Sequence, residues 1–147
     1  MLKQRGGGVQ KSDNGQGRGE SCLTCLIVDD SAFARFYMKR LLGSFENVRT
    51  SEAANGNEAV SEYERLQPDL VFMDIVMPGV EGVETVKRIC KDNPGASVIM
   101  VSSESYPEKV NEALMAGAKY FIPKPVTTDR LKLAIDHVLG SGTQKGN

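Results

Sequence analysis

Two pairs of reactive side chains lie within a dozen residues of each other near the start of the sequence. Cys22 and Cys25 form a Cys-x-x-Cys pair, a spacing that occurs in redox and metal sites. Asp29 and Asp30 follow three apolar residues, and adjacent carboxylates suit a hard cation or the chemistry of a phosphate. Either pair could mark a functional site, and the rest of the chain decides between them.

Three more polar residues, Asp74, Ser102 and Lys124, stand at or just after the ends of short apolar runs. With the acidic pair they match the needs of phosphoryl transfer, in which charge spreads over three oxygens that must be neutralised. A bound cation, the ammonium and the hydroxyl can each take one oxygen. An ionised aspartate is a competent nucleophile for an acyl phosphate. Asp74 is the best candidate because it stands alone, whereas Asp29 and Asp30 can hold the cation.

An all-oxygen cluster without histidine or cysteine selects a hard ion, and Mg²⁺ is the first candidate. Three converging carboxylates repel one another unless a cation neutralises them or one holds a proton. Taken singly, each residue has an ordinary explanation, since Asp30 could cap a helix and Lys124 could be a solvated charge. The joint pattern favours a phosphoryl site.

The apolar runs before these residues predict the strands of a parallel sheet. Residues 26–28, 70–73 and 98–101 are continuously apolar, as in strands that helices cover on both faces. Residues 48–53 are mixed and polar, and residues 120–122 are few, which suits strands at the two edges.

Apolar residues at helical spacing lie between the strands and predict five helices. Leu131, Ala134 and Ile135, for example, follow the spacing of one apolar helix face. Five strand–helix units with right-handed crossovers predict an α/β fold with a doubly wound parallel sheet in the order 2-1-3-4-5. Ligands bind such sheets at the switch point beyond strands 1 and 3, where Asp29 and Asp74 are predicted to lie.

Length and composition limit the domain organisation and the classes of protein to which this sequence can belong. The chain has 147 residues, a formal net charge of −1 and three cysteines. We expect a disordered N-terminal tail over residues 1–20, one folded domain over 21–141 and a flexible C-terminal tail over 142–147. The charge argues against nucleic-acid binding, and no signal peptide or membrane-spanning run is present, so a cytoplasmic protein is expected.

These motifs, in this order, resemble the receiver domains of two-component response regulators. The resemblance extends from about residue 24 to residue 140. It rests on LIVDDS at 26–31, MDIVMPGVEG at 73–82, VSS at 101–103, GA at 117–118 and KP at 124–125. It implies a flavodoxin-like (CheY-like) fold.

The resemblance also implies a role for each acidic residue. By similarity Asp74 is the phosphoacceptor, which takes phosphate from a phosphohistidine of a sensor histidine kinase. Asp30, Asp74 and the backbone carbonyl of Val76 would bind Mg²⁺ directly, and Asp29 would act through water. Val76 and Glu104 flank the site and are expected to influence the lifetime of the phosphate, in a direction that the sequence leaves open.

The remaining site residues form a switch by the same resemblance. Lys124 would pair with the phosphoryl oxygens, and its bond to Pro125 would be cis. Ser102 would move towards the phosphoryl group, and Phe121 would rotate into the space that this opens. Ser102 stands where Thr is frequent in the family, and Phe121 where Tyr is common in chemotaxis members.

Output is expected to be a contact with a downstream protein, because no DNA-binding or catalytic domain follows the receiver segment. The expected surface is the face of helix 4, strand 5 and helix 5, with the candidates Tyr106, Lys109, Phe121 and Lys132. The first helix looks most like that of chemotaxis receivers, and a phosphorelay intermediate or another single-domain regulator is the alternative. Beyond its own phosphorylation and dephosphorylation, the protein is not expected to be an enzyme.

Two other classes of protein share parts of the pattern. A phosphatase of the haloacid dehalogenase type also uses Asp, Mg²⁺, a hydroxyl and Lys, but its nucleophile motif is Asp-x-Asp, whereas Asp29 and Asp30 are adjacent. A flavodoxin-like cofactor carrier needs a Ser/Thr/Gly-rich phosphate loop after strand 1, where two carboxylates would repel a phosphate.

The Cys-x-x-Cys pair is interpreted as strand packing. If Cys22 and Cys25 both lie in strand 1, their Cα atoms are about 10 Å apart, beyond the roughly 7 Å limit for a disulfide. Thioredoxin-like pairs open a helix, whereas an apolar strand follows here. The strand could also begin only at Leu23, which would leave Cys22 in the tail.

Overall fold

The computed structural model of the protein describes residues 2–4, 22–75, 77, 82–103 and 107–144, with side chains as far as residue 140. Five strands alternate with five helices along the chain, as predicted. In order they are β1 (Leu23–Val28), α1 (Ala32–Leu42), β2 (Val48–Ala53), α2 (Gly56–Leu66), β3 (Leu70–Asp74), α3 (Gly82–Asp92), β4 (Val98–Ser102), α4 (Pro107–Ala116), β5 (Tyr120–Pro123) and α5 (Thr128–Gln144).

The strands form one parallel sheet in the order β2-β1-β3-β4-β5, which confirms the predicted topology. β3 and β4 are buried along their whole length, whereas β2 keeps exposed polar residues at one edge and β5 has only four residues at the other. Continuous apolar runs form the central strands because helices cover both faces of the sheet.

Successive side chains of each strand pack on opposite faces, and this alternation divides the core into two layers. Leu26 and Met73 pack with residues of α2, α3 and α4 on one face. Ile27 and Phe72 pack with residues of α1 and α5 on the other face. Because both faces are covered, the carboxyl ends of the strands form a rigid base for functional side chains.

The helix after β1 begins at a serine cap. Ser31 Oγ accepts a hydrogen bond from the amide of Ala34 at 3.1 Å. Asp30 was the other candidate for this cap, and the structure assigns the cap to Ser31 instead. Helix capping therefore does not explain Asp30.

The first residues of the chain contact the folded domain. Gln4 forms an isolated antiparallel bridge with Phe45, and the amide of Glu46 donates to the carbonyl oxygen of Lys3 at 2.8 Å. The rest of the expected N-terminal tail, Met1 and residues 5–20, lies outside the described residues.

The last helix extends past residue 141. α5 continues to Gln144, so the predicted boundary at residue 141 falls inside a helix, and residues 145–147 lie outside the described part of the chain. In the described ranges, no helix combines the length and the apolar composition needed to cross a membrane.

The three cysteines are free thiols. Cys22 is exposed just before β1, and Cys25 is completely buried within it. Burial, and then the negative charge of Asp69, raises the pKa of the Cys25 thiol to about 12. Such a thiol stays protonated near neutral pH, where it is a poor nucleophile and a poor metal ligand. These positions agree with the packing interpretation of the pair.

Candidate functional site

Five of the residues predicted for the phosphoryl site lie at the carboxyl ends of the strands. Asp29 and Asp30 follow β1, Asp74 ends β3, Ser102 ends β4 and Lys124 follows β5. Asp29, Asp74 and Ser102 are buried, whereas Asp30 and Lys124 are exposed. The sheet thus gathers the whole set around the switch point between β1 and β3.

The three carboxylates form a compact acidic cluster. Asp29, Asp30 and Asp74 each offer an oxygen, and these oxygens lie within 4.8 Å of one another. Lys124 Nζ lies 3.7 Å from Asp29 Oδ2 and 3.6 Å from Asp74 Oδ1. Lys124 therefore pairs with two of the three acids and offsets only part of their charge. The excess negative charge and the all-oxygen donor set fit a hard divalent cation.

The surroundings of Asp74 disfavour its ionised form. Burial, and then repulsion from the Asp29 carboxylate, raises the pKa of Asp74 to about 6, although the Lys124 ammonium acts in the opposite direction. A cation held by the cluster would favour the ionised, nucleophilic form, because its positive charge opposes both causes of the shift.

A salt bridge behind the cluster fixes the backbone of Asp29. Arg35 Nη1 in α1 donates to the carbonyl oxygen of Asp29 at 2.7 Å, and its Nε donates to Glu52 Oε1 of β2 at 2.8 Å. Lys39 Nζ donates to the other Glu52 oxygen at 3.0 Å. The hydrogen bond from Arg35, and then that from Lys39, lowers the pKa of Glu52. No residue pattern predicts this bridge, which depends on the pairing of Ile27 with Glu52 across the two strands.

Replacing Arg35 with Ala is expected to lower the free energy of unfolding by about 1–2 kcal/mol, because two charge-assisted hydrogen bonds are lost. Lys39→Ala is the matched control. It removes a charge from the same carboxylate, but its side chain is 44% exposed, and the expected loss is below about 0.5 kcal/mol. Urea unfolding measures both variants, and equal losses would contradict a specific role for the contact with Asp29.

The predicted switch residues lie at the ends of β4 and β5. Ser102 Oγ donates to the carbonyl oxygen of Ser103 at 3.3 Å, and the amide of Lys124 donates to the carbonyl oxygen of Ser102 at 2.8 Å. The bond between Lys124 and Pro125 is cis, as predicted. Phe121 is half-buried and packs against the layer of α2, α3 and α4.

Three predicted residues, Val76, Glu104 and Tyr106, lie outside the described residues. Of the other candidates for the output face, Lys109 is half-buried, and Lys132 Nζ donates to a carboxylate one turn further along α5 at 2.7 Å.

Gly82, at the start of α3, lies against the backbone of Asp74. Its amide donates to the carbonyl oxygen of Ile75 at 2.9 Å. A methyl group on Gly82 would overlap the carbonyl oxygen of Asp74 and would lie 2.8 Å from both the Cα and the carbonyl oxygen of Ile75. Glycine permits this close approach of two backbones. The sequence shows Gly82 within a motif, and the structure adds its contact with the nucleophile candidate.

Comparison with known proteins agrees with this geometry. The family described as response regulator receiver domain matches residues 25–136. Chemotaxis protein CheY of Thermotoga maritima is 42% identical over 113 residues, which cover 77% of this chain and 94% of that protein. Chemotaxis protein CheY of Bacillus subtilis is 44% identical over 116 residues, which cover 78% of this chain and 95% of that protein. A chain of the CheX-CheY-BeF3-Mg²⁺ complex from Borrelia burgdorferi superposes with a TM-score of 0.74 and 32% identity, over 80% of this chain and 89% of that one.

Proposed function

The chain belongs to the response regulator receiver domain family, and from this premise we propose that it accepts phosphate on Asp74 and signals through a phosphorylation-dependent contact with another protein. The donor in this proposal is a phosphohistidine of a sensor histidine kinase. The single observation that carries it is the convergence of Asp29, Asp30 and Lys124 on Asp74 at the switch point of the sheet. A buried acid at this position is a suitable nucleophile once a cation favours its ionised form.

In the proposed reaction a carboxylate oxygen of Asp74 forms a bond to phosphorus, and the bond from phosphorus to the imidazole nitrogen of the donor breaks. Lys124 Nζ, 3.6 Å from the carboxylate, pairs with one phosphoryl oxygen. The Ser102 hydroxyl exchanges its 3.3 Å hydrogen bond to Ser103 for one to a second phosphoryl oxygen. Fixed charges and donors of this kind lower the barrier because they are already in place when charge develops.

Mg²⁺ is the proposed cofactor. Asp29, Asp30 and Asp74 would hold it, together with the backbone carbonyl of Val76, and the fit rests on three carboxylate oxygens within 4.8 Å of one another. When bound, the ion supplies positive charge to the transferring phosphoryl group. The amide of Ser31, which donates to Asp29 Oδ1 at 2.9 Å, orients one of these carboxylates in advance.

The proposed conformational switch follows from the hydrogen bond between the Ser102 hydroxyl and the phosphoryl group. When Ser102 turns inward, the loop after β4 follows it, and Phe121 rotates from its half-buried position. Phosphate acts by favouring one of two arrangements to which it binds with different affinity. Val76 and Glu104, which flank the site in sequence, are proposed to set the lifetime of the phosphate.

Chemotaxis is the proposed pathway, and the face of α4, β5 and α5 is the proposed output surface. The names of the Thermotoga and Bacillus relatives and the CheX-CheY complex of Borrelia support chemotaxis over a phosphorelay intermediate or another regulator. A downstream protein that binds only the phosphorylated form would recognise the new position of Phe121.

Phosphorylation with a small donor tests the proposal. Incubated with Mg²⁺ and acetyl phosphate, the protein should gain one acid-stable, base-labile phosphate, which peptide mapping after borohydride reduction should locate at Asp74. Phosphate on any other residue would overturn the assignment. Rapid multiple turnover of a generic phosphomonoester would instead favour the phosphatase alternative.

A further inference from the structure

An apolar cavity of about 400 Å³ opens beside the phosphoryl site. Asp29, Asp74 and Lys124 line its polar end, and the rest of its wall is apolar. It lies between α1 and the segment that follows β5. Its volume is in the range of cavities that bind small molecules.

The side walls come from α1 and from the residues after Lys124. Phe33, Ala34 and Tyr37 line the cavity from the helix, and Val126 lines it from the other side. The Tyr37 hydroxyl donates to the carbonyl oxygen of Val126 at 2.7 Å, which fixes the distance between the two walls. Phe33 is 74% exposed, so it lines the cavity at its solvent side.

The cavity therefore has one end at the proposed phosphoryl site, where Lys124 and a bound cation would offset the charges of Asp29 and Asp74, and a body that suits hydrocarbon. We propose that it binds the acyl group of small acyl phosphates, so that donors with a longer apolar chain phosphorylate Asp74 faster than acetyl phosphate does. This inference rests on the proposed function, because the phosphoryl group of the donor must lie at Asp74 while its acyl chain lies against Phe33 and Ala34.

The transfer itself is the same for every donor in such a series. A carboxylate oxygen of Asp74 forms a bond to phosphorus, the bond from phosphorus to the acyl oxygen breaks, and the fatty carboxylate leaves with the electron pair. Unbranched fatty acids differ little in acidity, so the leaving groups are equally good. A difference in rate then reports binding of the acyl chain. The rate should rise by up to about fourfold for each methylene group that is fully buried.

The test compares acetyl, propanoyl and butanoyl phosphate, with phosphoramidate as a donor that carries no acyl chain. Second-order rate constants for labelling of the wild-type protein are measured with Mg²⁺ at donor concentrations below saturation. We expect butanoyl phosphate to react at least about fivefold faster than acetyl phosphate, somewhat less than two fully buried methylene groups would give. A ratio of one or less would overturn the inference.

Three variants test whether the acyl chain binds in this cavity. Phe33→Ala removes one wall and Ala34→Leu fills the cavity, and each should reduce the ratio of butanoyl to acetyl rates to below about twofold. Phe36→Ala is the matched control, because Phe36 lies on the same helix outside the cavity and is 55% exposed. It should keep the wild-type ratio. If both Phe33→Ala and Ala34→Leu kept the wild-type ratio of butanoyl to acetyl rates, the acyl chain would bind outside the cavity, and the inference would be overturned.

The same experiment separates the two proposals. If phosphoramidate and acetyl phosphate label Asp74 while butanoyl and acetyl phosphate react at equal rates, only the inference about the acyl-binding cavity is wrong. If no donor labels Asp74, the proposed function is wrong and the inference falls with it.

Discussion

The Asp74→Asn variant is expected to lose phosphorylation by acetyl phosphate completely and to be more stable than the wild type by about 2–3 kcal/mol at pH 7 without Mg²⁺. The amide has almost the same shape as the carboxyl group, but it carries no charge and no nucleophilic oxygen. Burial and the neighbouring Asp29 raise the pKa of Asp74 from 3.8 to about 6, so its ionised form destabilises the folded state. Asn removes that destabilisation together with the phosphoacceptor.

The size of this effect depends on pH. Between pH 3.8 and about 6 the folded protein binds more protons at Asp74 than the unfolded protein does, because the folded pKa is the higher one. The contribution of this group to wild-type stability therefore falls as pH rises through this interval, and Asp74→Asn has no such fall. The difference in unfolding free energy between the two proteins should be small near pH 4 and complete above pH 6. Urea unfolding at several pH values in the presence of EDTA measures it.

Asp136→Asn is the matched control, because this carboxylate is only half-buried and pairs with Lys132 along α5, away from the acidic cluster. Its unfolding free energy should stay within about 0.5 kcal/mol of the wild type, and it should label normally. Added Mg²⁺ should stabilise the wild type and the control more than Asp74→Asn, because the ion loses one of its carboxylates in that variant. An Asp74→Asn protein that is no more stable than wild type at pH 7, or that labels at the wild-type rate, would contradict the expectation.

The stability gained on loss of Asp74 illustrates why this end of the sheet could be predicted from the sequence. Carboxylate oxygens of Asp29, Asp30 and Asp74 lie within 4.8 Å of one another, and their repulsion destabilises the folded protein. The packing of the core does not require such a cluster. Such a cluster stands out even in an unaligned sequence, because each acid directly follows or ends an apolar run. The strand order then brings these runs together, since few topologies satisfy short right-handed crossovers and polar edges.

Contacts that depend on register and on exact backbone distances were not predictable in this way. Arg35 and Glu52 are 17 residues apart, on a helix and an edge strand whose relative position follows only from the paired sheet. The cavity beside Phe33 depends on the distance between α1 and the segment after β5, which no residue pattern encodes.

Replacing Gly82 with Ala is expected to destabilise the protein by about 3 kcal/mol or more and to slow phosphorylation of the folded fraction by at least about tenfold. The new methyl group would overlap the carbonyl oxygen of Asp74 and would come within 2.8 Å of Ile75, and all of these contacts are with backbone. Backbone cannot move aside as a flexible side chain can. Either α3 or the end of β3 must shift, and a shift of β3 displaces the Asp74 carboxylate from the cation and from Lys124.

Two other glycines provide controls for this substitution. An added Cβ meets nothing within 4 Å at Gly95, in the turn before β4, or at Gly140, within α5. Gly95→Ala should change the unfolding free energy by less than about 0.5 kcal/mol, and Gly140→Ala should raise it by about 0.5–1 kcal/mol through its helix propensity. Urea unfolding and labelling rates at equal concentrations of folded protein compare the three variants. If Gly82→Ala behaved like Gly95→Ala in both measurements, α3 would have room to move away from Asp74, and the close approach of the two backbones would not be needed to position the phosphoacceptor.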